Sequence, residues 1–263
     1  MATLHNSREK TTCDAHEISP RPPSSIPSCV EDHIPDEISS RRRFLRTALG
    51  GTLVGTVVGA GMEFTTPRPA LAQSQLTPDA ALKELMDGNR RFVSGRLTAH
   101  EQDLTILKQN TIEKQEPFAS VLSCADSRVP VELVFDQSIG HLFVNRIAGN
   151  IVTAEIIASI EYGAAVLGTR VILVMGHANC GAVKATIQAK EVPGQISVLY
   201  QHIQPAVDQA GSNPEEATKA NAKIQASLLR KASTVISSMV KEGKLKVVAG
   251  YYDVSTGVAS ILS

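Results

Sequence analysis

Residues 170–181 read "RVILVMGHANCG", an apolar run that leads directly into a histidine, a cysteine and two glycines. The run has the length of a strand and groups β-branched residues together, which predicts a buried β-strand. His177 and Cys180 follow at its end, where the glycines permit tight backbone turns, including turns around a metal. A packed structural cysteine, half of a disulfide, a nucleophile and a metal ligand are all consistent with Cys180 on these residues alone.

Alternating strands and helices are indicated on both sides of this run. Further apolar segments of strand length lie at 118–124, 141–149 and 244–253. Helical patterns occupy residues 77–92, 153–168, 181–190 and 215–242. Runs that are apolar on both faces are typical of parallel strands covered by helices. The sequence therefore predicts an α/β fold, with a central mostly parallel β-sheet of about four to five strands flanked by helices.

Composition limits the classes of function. The 263 residues carry 26 Lys plus Arg and 26 Asp plus Glu, so the basic excess expected of a nucleic-acid-binding protein is missing. The four cysteines, Cys13, Cys29, Cys124 and Cys180, are too few for a disulfide scaffold of this size. We therefore expect no nucleic-acid partner and an ordinary globular core.

The N-terminal third has a different composition from the rest of the chain. Residues 1–39 are polar and proline-rich without apolar periodicity, which predicts a disordered extension. Residues 40–72 begin "SRRRFL", which resembles the twin-arginine export signal, and they end in "ALA", a small-residue cleavage site. The alternative is a basic linker followed by a poorly packed helix. The order of arginines, apolar segment and cleavage site favours export, with cleavage after Ala72 and a single catalytic domain over 73–263.

An export signal implies a partner and a location. The partner is the twin-arginine export machinery, and the destination is the periplasm, or the thylakoid lumen if the source is a cyanobacterium. Proteins exported already folded could bind zinc before they leave the reducing cytoplasm. Cys124 and Cys180 are the cysteines that such a mature chain would keep.

The residues after two of the predicted strands form one chemical set. Cys124, Asp126 and Arg128 follow the strand at 118–124, and His177 and Cys180 follow the strand at 170–176. Because the carboxyl ends of parallel strands meet at one sheet edge, the fold can bring these groups together. A disulfide leaves the His, Asp and Arg unused, and a Cys–His nucleophilic pair leaves one Cys spare. A zinc site with three protein ligands and one open position uses all of them, so zinc is favoured over these alternatives.

At this point the chain resembles the β-class carbonic anhydrases, which carry Cys-x-Asp-x-Arg and His-x-x-Cys motifs. The resemblance covers essentially all of residues 73–263 and implies the fold of that class. The matching stretches are "CADSR" at 124–128, "GHANCG" at 176–181, "ALKELMDGNRRFVSGR" at 81–96, "RIAGNIV" at 146–152 and "GYYDVSTG" at 250–257.

The resemblance implies a role for each matching residue. Zinc would be held by Cys124, His177 and Cys180. Asp126 and Arg128 would form a catalytic dyad, with Asp126 a metal ligand only in a closed state. A subgroup of the class uses a Trp-containing bicarbonate site to hold that closed state. Since this chain contains no Trp, we expect the open, constitutively active type.

The resemblance also implies a substrate pocket lined by Gln115, Phe143, Tyr162 and Gly181. In this class the pocket forms at a dimer interface, so a homodimer or a higher homo-oligomer is expected, and some of these residues would serve the partner's zinc. One departure from many relatives is Ile147, which stands where they have Asn. We expect it to be tolerated.

The activity implied is reversible hydration of carbon dioxide to bicarbonate and a proton by zinc-bound hydroxide, oriented by the Asp126–Arg128 dyad. Two alternatives use the same site. One is hydrolysis of carbonyl sulfide or carbon disulfide, which are linear molecules like carbon dioxide. The other is a zinc or thiol protein without turnover, against which the intact Asp126 and Arg128 argue.

Overall fold

The computed structural model describes residues 74–99, 109 and 111–263. The predicted disordered extension at 1–39 and the predicted export signal at 40–72 lie outside the described residues and stay predictions. Among the helices of the described ranges, none combines the length and the apolar character that crossing a membrane requires.

A mostly parallel sheet forms the centre of the described chain, as the sequence predicts. Its strands are β1 (Ala119–Ser123), β2 (Leu142–Arg146), β3 (Val171–His177), β4 (Lys246–Tyr252) and β5 (Ala259–Leu262). Within the described residues the sheet has five strands in the order β2-β1-β3-β4-β5. All neighbouring pairs are parallel except β4 and β5, which are antiparallel. The carboxyl ends of β1 and β3 therefore lie side by side.

Helices cover both faces of the sheet. They are α1 (Pro78–Val93), α2 (Val131–Val134), α3 (Ala154–Glu161), α4 (Gly181–Ile187), α5 (Val198–Ala210), α6 (Pro214–Ala232) and α7 (Thr234–Lys241). A 3-10 turn (Ala148–Asn150) follows β2, and a π-helical turn (Tyr162–Val166) extends α3. The first helix begins as predicted, since the Thr77 side chain accepts a hydrogen bond from the Ala80 N–H and Pro78 is the first helical residue.

The two apolar layers follow from alternation along the buried strands. Leu173 and Met175 of β3 pack in one cluster with α1 and α2. Ile172 and Val174 face the opposite cluster, with α3, α6 and α7. Because β3 is buried along its whole length, its sequence is apolar at every position from 171 to 175, the pattern that predicts it.

The predicted helices differ from the observed ones in the C-terminal part of the chain. The helix predicted over 215–242 is two helices, because Ser233 has an extended backbone that ends α6 and begins α7. The Ser233 hydroxyl accepts a hydrogen bond from the Ile236 N–H and donates one to Glu161. Helix α5 and strand β5 were not predicted.

Helix α6 lies unusually close to β3. A Cβ atom added at Gly176 would lie 2.7 Å from the Thr218 Cγ2 atom and 3.1 Å from the Thr218 carbonyl oxygen. Gly176 is thus required by the approach of the helix to the strand. The contact places the buried face of α6 directly behind the end of β3.

One buried side chain connects α1 to the opposite end of the chain. Asn89 is 3% exposed. Its Nδ2 donates to the carbonyl oxygens of Val134 and Gly257, and its Oδ1 accepts from the Ala259 N–H. These three bonds hold the end of α2 and the start of β5 against α1.

We predict that Asn89→Leu lowers the free energy of unfolding by roughly 2–5 kcal/mol, because three backbone groups lose their partner in a buried place. Urea unfolding at one protein concentration measures the change. Lys83→Gln, an exposed change on the same helix, is the control and should stay within about 0.5 kcal/mol of wild type. Equal stability of Asn89→Leu and wild type would contradict the role given to Asn89.

Candidate metal centre

Three predicted ligands meet at the carboxyl edge of the sheet. Cys124 directly follows β1, His177 is the last residue of β3, and Cys180 directly precedes α4. All three are buried, and their ligand atoms lie within 4.8 Å of one another. Both cysteines are free thiols in the structure. The pairing of β1 with β3 therefore achieves the juxtaposition that the sequence predicts.

The donor atoms suit a borderline-soft metal such as zinc. His177 Nδ1 lies 3.0 Å from the Ala178 carbonyl oxygen, and since a carbonyl oxygen only accepts, Nδ1 carries the proton. His177 Nε2 is then a lone-pair donor, and within the described residues it is buried without a hydrogen-bond partner. Two sulfurs and one imidazole nitrogen form a donor set typical of zinc, and the bond from Nδ1 to a backbone carbonyl is a common way to orient a metal-binding imidazole.

The two neighbouring thiols shift each other's pKa in the cluster. The contact with Cys180 lowers the pKa of Cys124, and the hydrogen bond from the Gly149 N–H lowers it further against the effect of burial. The same contact with Cys124, together with burial, raises the pKa of Cys180. The pKa values of the two neighbouring thiols therefore move in opposite directions.

Asp126 and Arg128 form a bidentate ion pair beside the cluster. Arg128 Nε donates to Asp126 Oδ1 at 2.9 Å, and Arg128 Nη2 donates to Asp126 Oδ2 at 2.7 Å. These bonds hold the pKa of Asp126 well below its usual range. Asp126 Oδ2 lies 3.8 Å from His177 Nε2, so an ionised carboxylate is held next to the donor atoms while both its oxygens are bonded to Arg128.

Arg146 fixes the loop that carries Cys124 and Asp126. From the end of β2, its Nε donates to the Cys124 carbonyl oxygen at 3.1 Å and its Nη2 donates to the Asp126 carbonyl oxygen at 2.5 Å. The sequence places Arg146 in a matching motif but indicates no role for it. Such a role could not be read from the sequence, because it consists of contacts with backbone oxygens on another strand.

The glycines beside His177 and Cys180 do not form the turn between these ligands, although the sequence predicts that they do. The turn between His177 and Cys180 takes its left-handed backbone at Asn179, with φ 58°, and a Cβ at Gly181 would meet no atom within 4 Å. The glycine that approaches the ligands is Gly149, with φ 76°, whose N–H donates to Cys124 Sγ at 3.3 Å. Its position in "RIAGN" is the signal in the sequence that could have pointed to it.

The four residues predicted to line the substrate pocket lie in three separate parts of the structure. Gly181 adjoins Cys180 at the start of α4, and Gln115 is exposed in the segment before β1. Phe143 lies three residues before the end of β2, which is about 10 Å along a strand. The ring of Tyr162 is centred 6.1 Å from that of Phe143 and its side chain is exposed. Phe143 and Tyr162 thus form a separate aromatic pair at an edge strand.

Known proteins of one family match this chain. The family model described as carbonic anhydrase matches residues 119–259. The carbonic anhydrase of Mycolicibacterium smegmatis is 35% identical over 194 residues, which span 71% of this chain and 94% of that protein. Carbonic anhydrase 2 of Mycobacterium tuberculosis is 34% identical over 69% of this chain and 91% of its own length.

Solved structures agree with the sequence matches. The Coccomyxa β-carbonic anhydrase, solved with acetazolamide, is 26% identical and superposes with a TM-score of 0.55 over 69% of this chain and 86% of its own. A tetrameric β-carbonic anhydrase of Sordaria macrospora has the same fold, with a TM-score of 0.55 at 19% identity over 69% of this chain and 96% of its own. With its five-stranded sheet and its Cys–His–Cys cluster beside an Asp–Arg pair, this chain belongs to the β class of carbonic anhydrases.

Proposed function

We propose that this chain catalyses the reversible hydration of carbon dioxide to bicarbonate and a proton, with zinc held by Cys124, His177 and Cys180. The observation that carries the proposal is the buried cluster of two thiols and an unpartnered imidazole nitrogen next to an ionised carboxylate. A purely structural zinc site needs no such carboxylate. Membership of the carbonic anhydrase family supports the same reaction.

Each side chain of the cluster has a place in this proposal. The three ligands leave a fourth position open, as catalytic zinc sites do. Zinc in this site would supply a Lewis acid that lowers the pKa of a water molecule from 15.7 toward about 7. Cys124, His177 and Cys180 would hold the metal, and such acidified water is what the hydration of carbon dioxide to bicarbonate and a proton would require.

Asp126 orients the attacking group in the proposed mechanism. Its low pKa keeps it ionised, so that it accepts a hydrogen bond from the attacking group and does not donate one. Arg128 donates hydrogen bonds to both oxygens of this carboxylate, and it also donates to the Asn179 carbonyl oxygen at 3.3 Å. The Arg128 contacts support an open state, in which Asp126 is held by Arg128 and is not a metal ligand.

The substrate pocket is proposed to form between two copies of the chain. Phe143 and Tyr162 form an aromatic pair at the exposed edge strand β2, and Gln115 is exposed before β1. An edge strand with exposed aromatic surface favours contact with another chain. Two Sordaria macrospora relatives of this fold are tetramers, which supports a homodimer or higher homo-oligomer here, with Gln115, Phe143, Tyr162 and Gly181 lining the pocket.

Export is proposed from the sequence of residues 40–72. The folded zinc domain would pass to the periplasm through the twin-arginine machinery, with Cys124 and Cys180 protected as metal thiolates. The proposal depends on Arg41 and Arg42 as the paired arginines.

We predict that Asp126→Asn keeps its zinc but loses about 10²- to 10⁴-fold in the rate of carbon dioxide hydration, because the amide cannot replace an ionised acceptor. Metal analysis gives the zinc content, and stopped-flow pH-indicator kinetics give the rate. Asp79→Asn, at an exposed carboxylate on α1, is the control and should retain the wild-type rate. Full activity of Asp126→Asn would remove Asp126 from the mechanism.

The same stopped-flow series, run with carbonyl sulfide in place of carbon dioxide, tests the choice of substrate. The proposal expects the zinc-loaded wild-type chain to hydrate carbon dioxide. A chain that consumes carbonyl sulfide and leaves carbon dioxide unhydrated would overturn it, as would a zinc-loaded chain without either activity.

We predict that Cys180→Ser reduces zinc affinity by at least about tenfold, because a buried hydroxyl replaces one of the charged sulfur ligands. Equilibrium dialysis against a zinc buffer measures the affinity in the full-length chain. Cys29→Ser is a matched cysteine change in the predicted N-terminal extension and should leave zinc binding unchanged. Wild-type affinity in Cys180→Ser would show that Cys180 is not a ligand.

We predict that replacing Arg41 and Arg42 together with Lys keeps the chain in the cytoplasm of a host with twin-arginine export. Fractionation followed by immunoblotting measures the distribution, and the exported wild-type chain should begin at Gln73. Arg46→Lys, four residues after the paired arginines, is the control and should still be exported. A double variant exported as well as wild type would mean that residues 40–72 are not this signal.

A further inference from the structure

Helix α6 carries two buried polar side chains one turn apart, Asn221 and Gln225. They are 0% and 1% exposed. Gln225 Nε2 donates to Asn221 Oδ1 at 3.1 Å, so the two amides form a bonded pair. Amides are mostly exposed in proteins, and a buried pair has to be matched by partners.

The partners of the pair lie in the chain that follows β2. Asn221 Nδ2 donates to the Gly149 carbonyl oxygen at 2.8 Å, and Gln225 Oε1 accepts from the Val152 N–H at 2.8 Å. Gln225 Nε2 also donates to the His202 carbonyl oxygen of α5 at 3.0 Å. The amide pair therefore holds the segment 149–152 at both of its ends and ties it to two helices.

This segment in turn touches a predicted metal ligand. The Gly149 N–H donates to Cys124 Sγ at 3.3 Å. A Cβ atom at Gly149 would lie 2.7 Å from Ile203 Cδ1, so the segment is confined between α5 and the ligand loop. The bond to the Gly149 carbonyl oxygen restrains the φ and ψ rotations of this glycine, and its loss would free the rotations that set the direction of the Gly149 N–H.

We propose that Asn221 and Gln225 are positioning residues of the metal centre, which fix the 149–152 segment so that the Gly149 N–H stays bonded to the Cys124 sulfur. The inference rests on the proposed function, in which Cys124 is a zinc ligand. Groups that orient a ligand from behind it typically contribute a factor of about 10 to 100 in metal affinity. A hydrogen bond to a thiolate also stabilises its lone pairs and draws charge from the metal–sulfur bond.

A purely structural role for the pair makes a different prediction. It would affect stability alone, whereas a positioning role also changes the electronic state of the sulfur. The thiolate-to-metal charge-transfer absorption of the cobalt-substituted protein reports that state. When the sulfur loses a hydrogen bond, its lone pairs rise in energy and the band moves to longer wavelength.

The test uses the full chain loaded with cobalt(II), in wild-type, Asn221→Leu and Gln225→Met forms. Both substitutions keep approximate volume and remove the amide contacts. We expect the charge-transfer band to move to longer wavelength in both variants, and the zinc dissociation constant of each to rise about 10- to 100-fold. Gln225→Met keeps the inference testable if Asn221→Leu does not fold.

Asn89→Leu is the matched control, because Asn89 is also a buried amide with three hydrogen bonds, at a place apart from the ligands. It should lose stability with the cobalt band and the zinc affinity unchanged. Variants of Asn221 and Gln225 with the wild-type band and wild-type affinity would overturn the inference, and so would an equal band shift in Asn89→Leu. Absence of a thiolate–cobalt band in the wild-type chain would instead overturn the proposed metal site itself.

Discussion

Burial of two thiols and an imidazole within 4.8 Å of one another is the constraint that the surrounding structure satisfies. A buried thiolate needs hydrogen bonds or a metal to offset its lost hydration. Here the Cys124 sulfur accepts a hydrogen bond from the Gly149 N–H, and the donor atoms of Cys180 and His177 lie within 4.8 Å of it. The fold thus brings two sulfur atoms and an imidazole nitrogen lone pair together as one set of donor atoms.

The fold supports this arrangement through contacts with backbone atoms. Arg146 binds the carbonyl oxygens of the ligand loop from β2, and Asn221 binds the carbonyl oxygen of Gly149 from α6. Close packing on Gly176 brings α6, the helix that carries Asn221, against the end of β3. The sheet brings the ligands together, and polar side chains on neighbouring elements then fix their orientation.

The sheet and the metal ligands can be predicted from the sequence, each for a different physical reason. Strands buried on both faces, such as 171–175, are apolar at every position, and residues after parallel strands meet at one edge by topology. Strand β5 is not predicted from the sequence, because it is short and its residues Ser260 and Ile261 are exposed. Asn221 in an alanine-rich helix looks like any polar helical residue, since its partner is a backbone oxygen distant in sequence. The pocket residues depend on a second chain, which no single-chain pattern describes.

Zinc-edge X-ray absorption of the purified, zinc-loaded chain tests whether Cys124, His177 and Cys180 hold the metal, because it counts the ligand atoms by element and distance. We expect two sulfurs at about 2.3 Å, one imidazole nitrogen at about 2.0–2.1 Å and one further light atom at the open position. A shell of nitrogen and oxygen without sulfur would contradict it, because Cys124 and Cys180 would then not hold the metal.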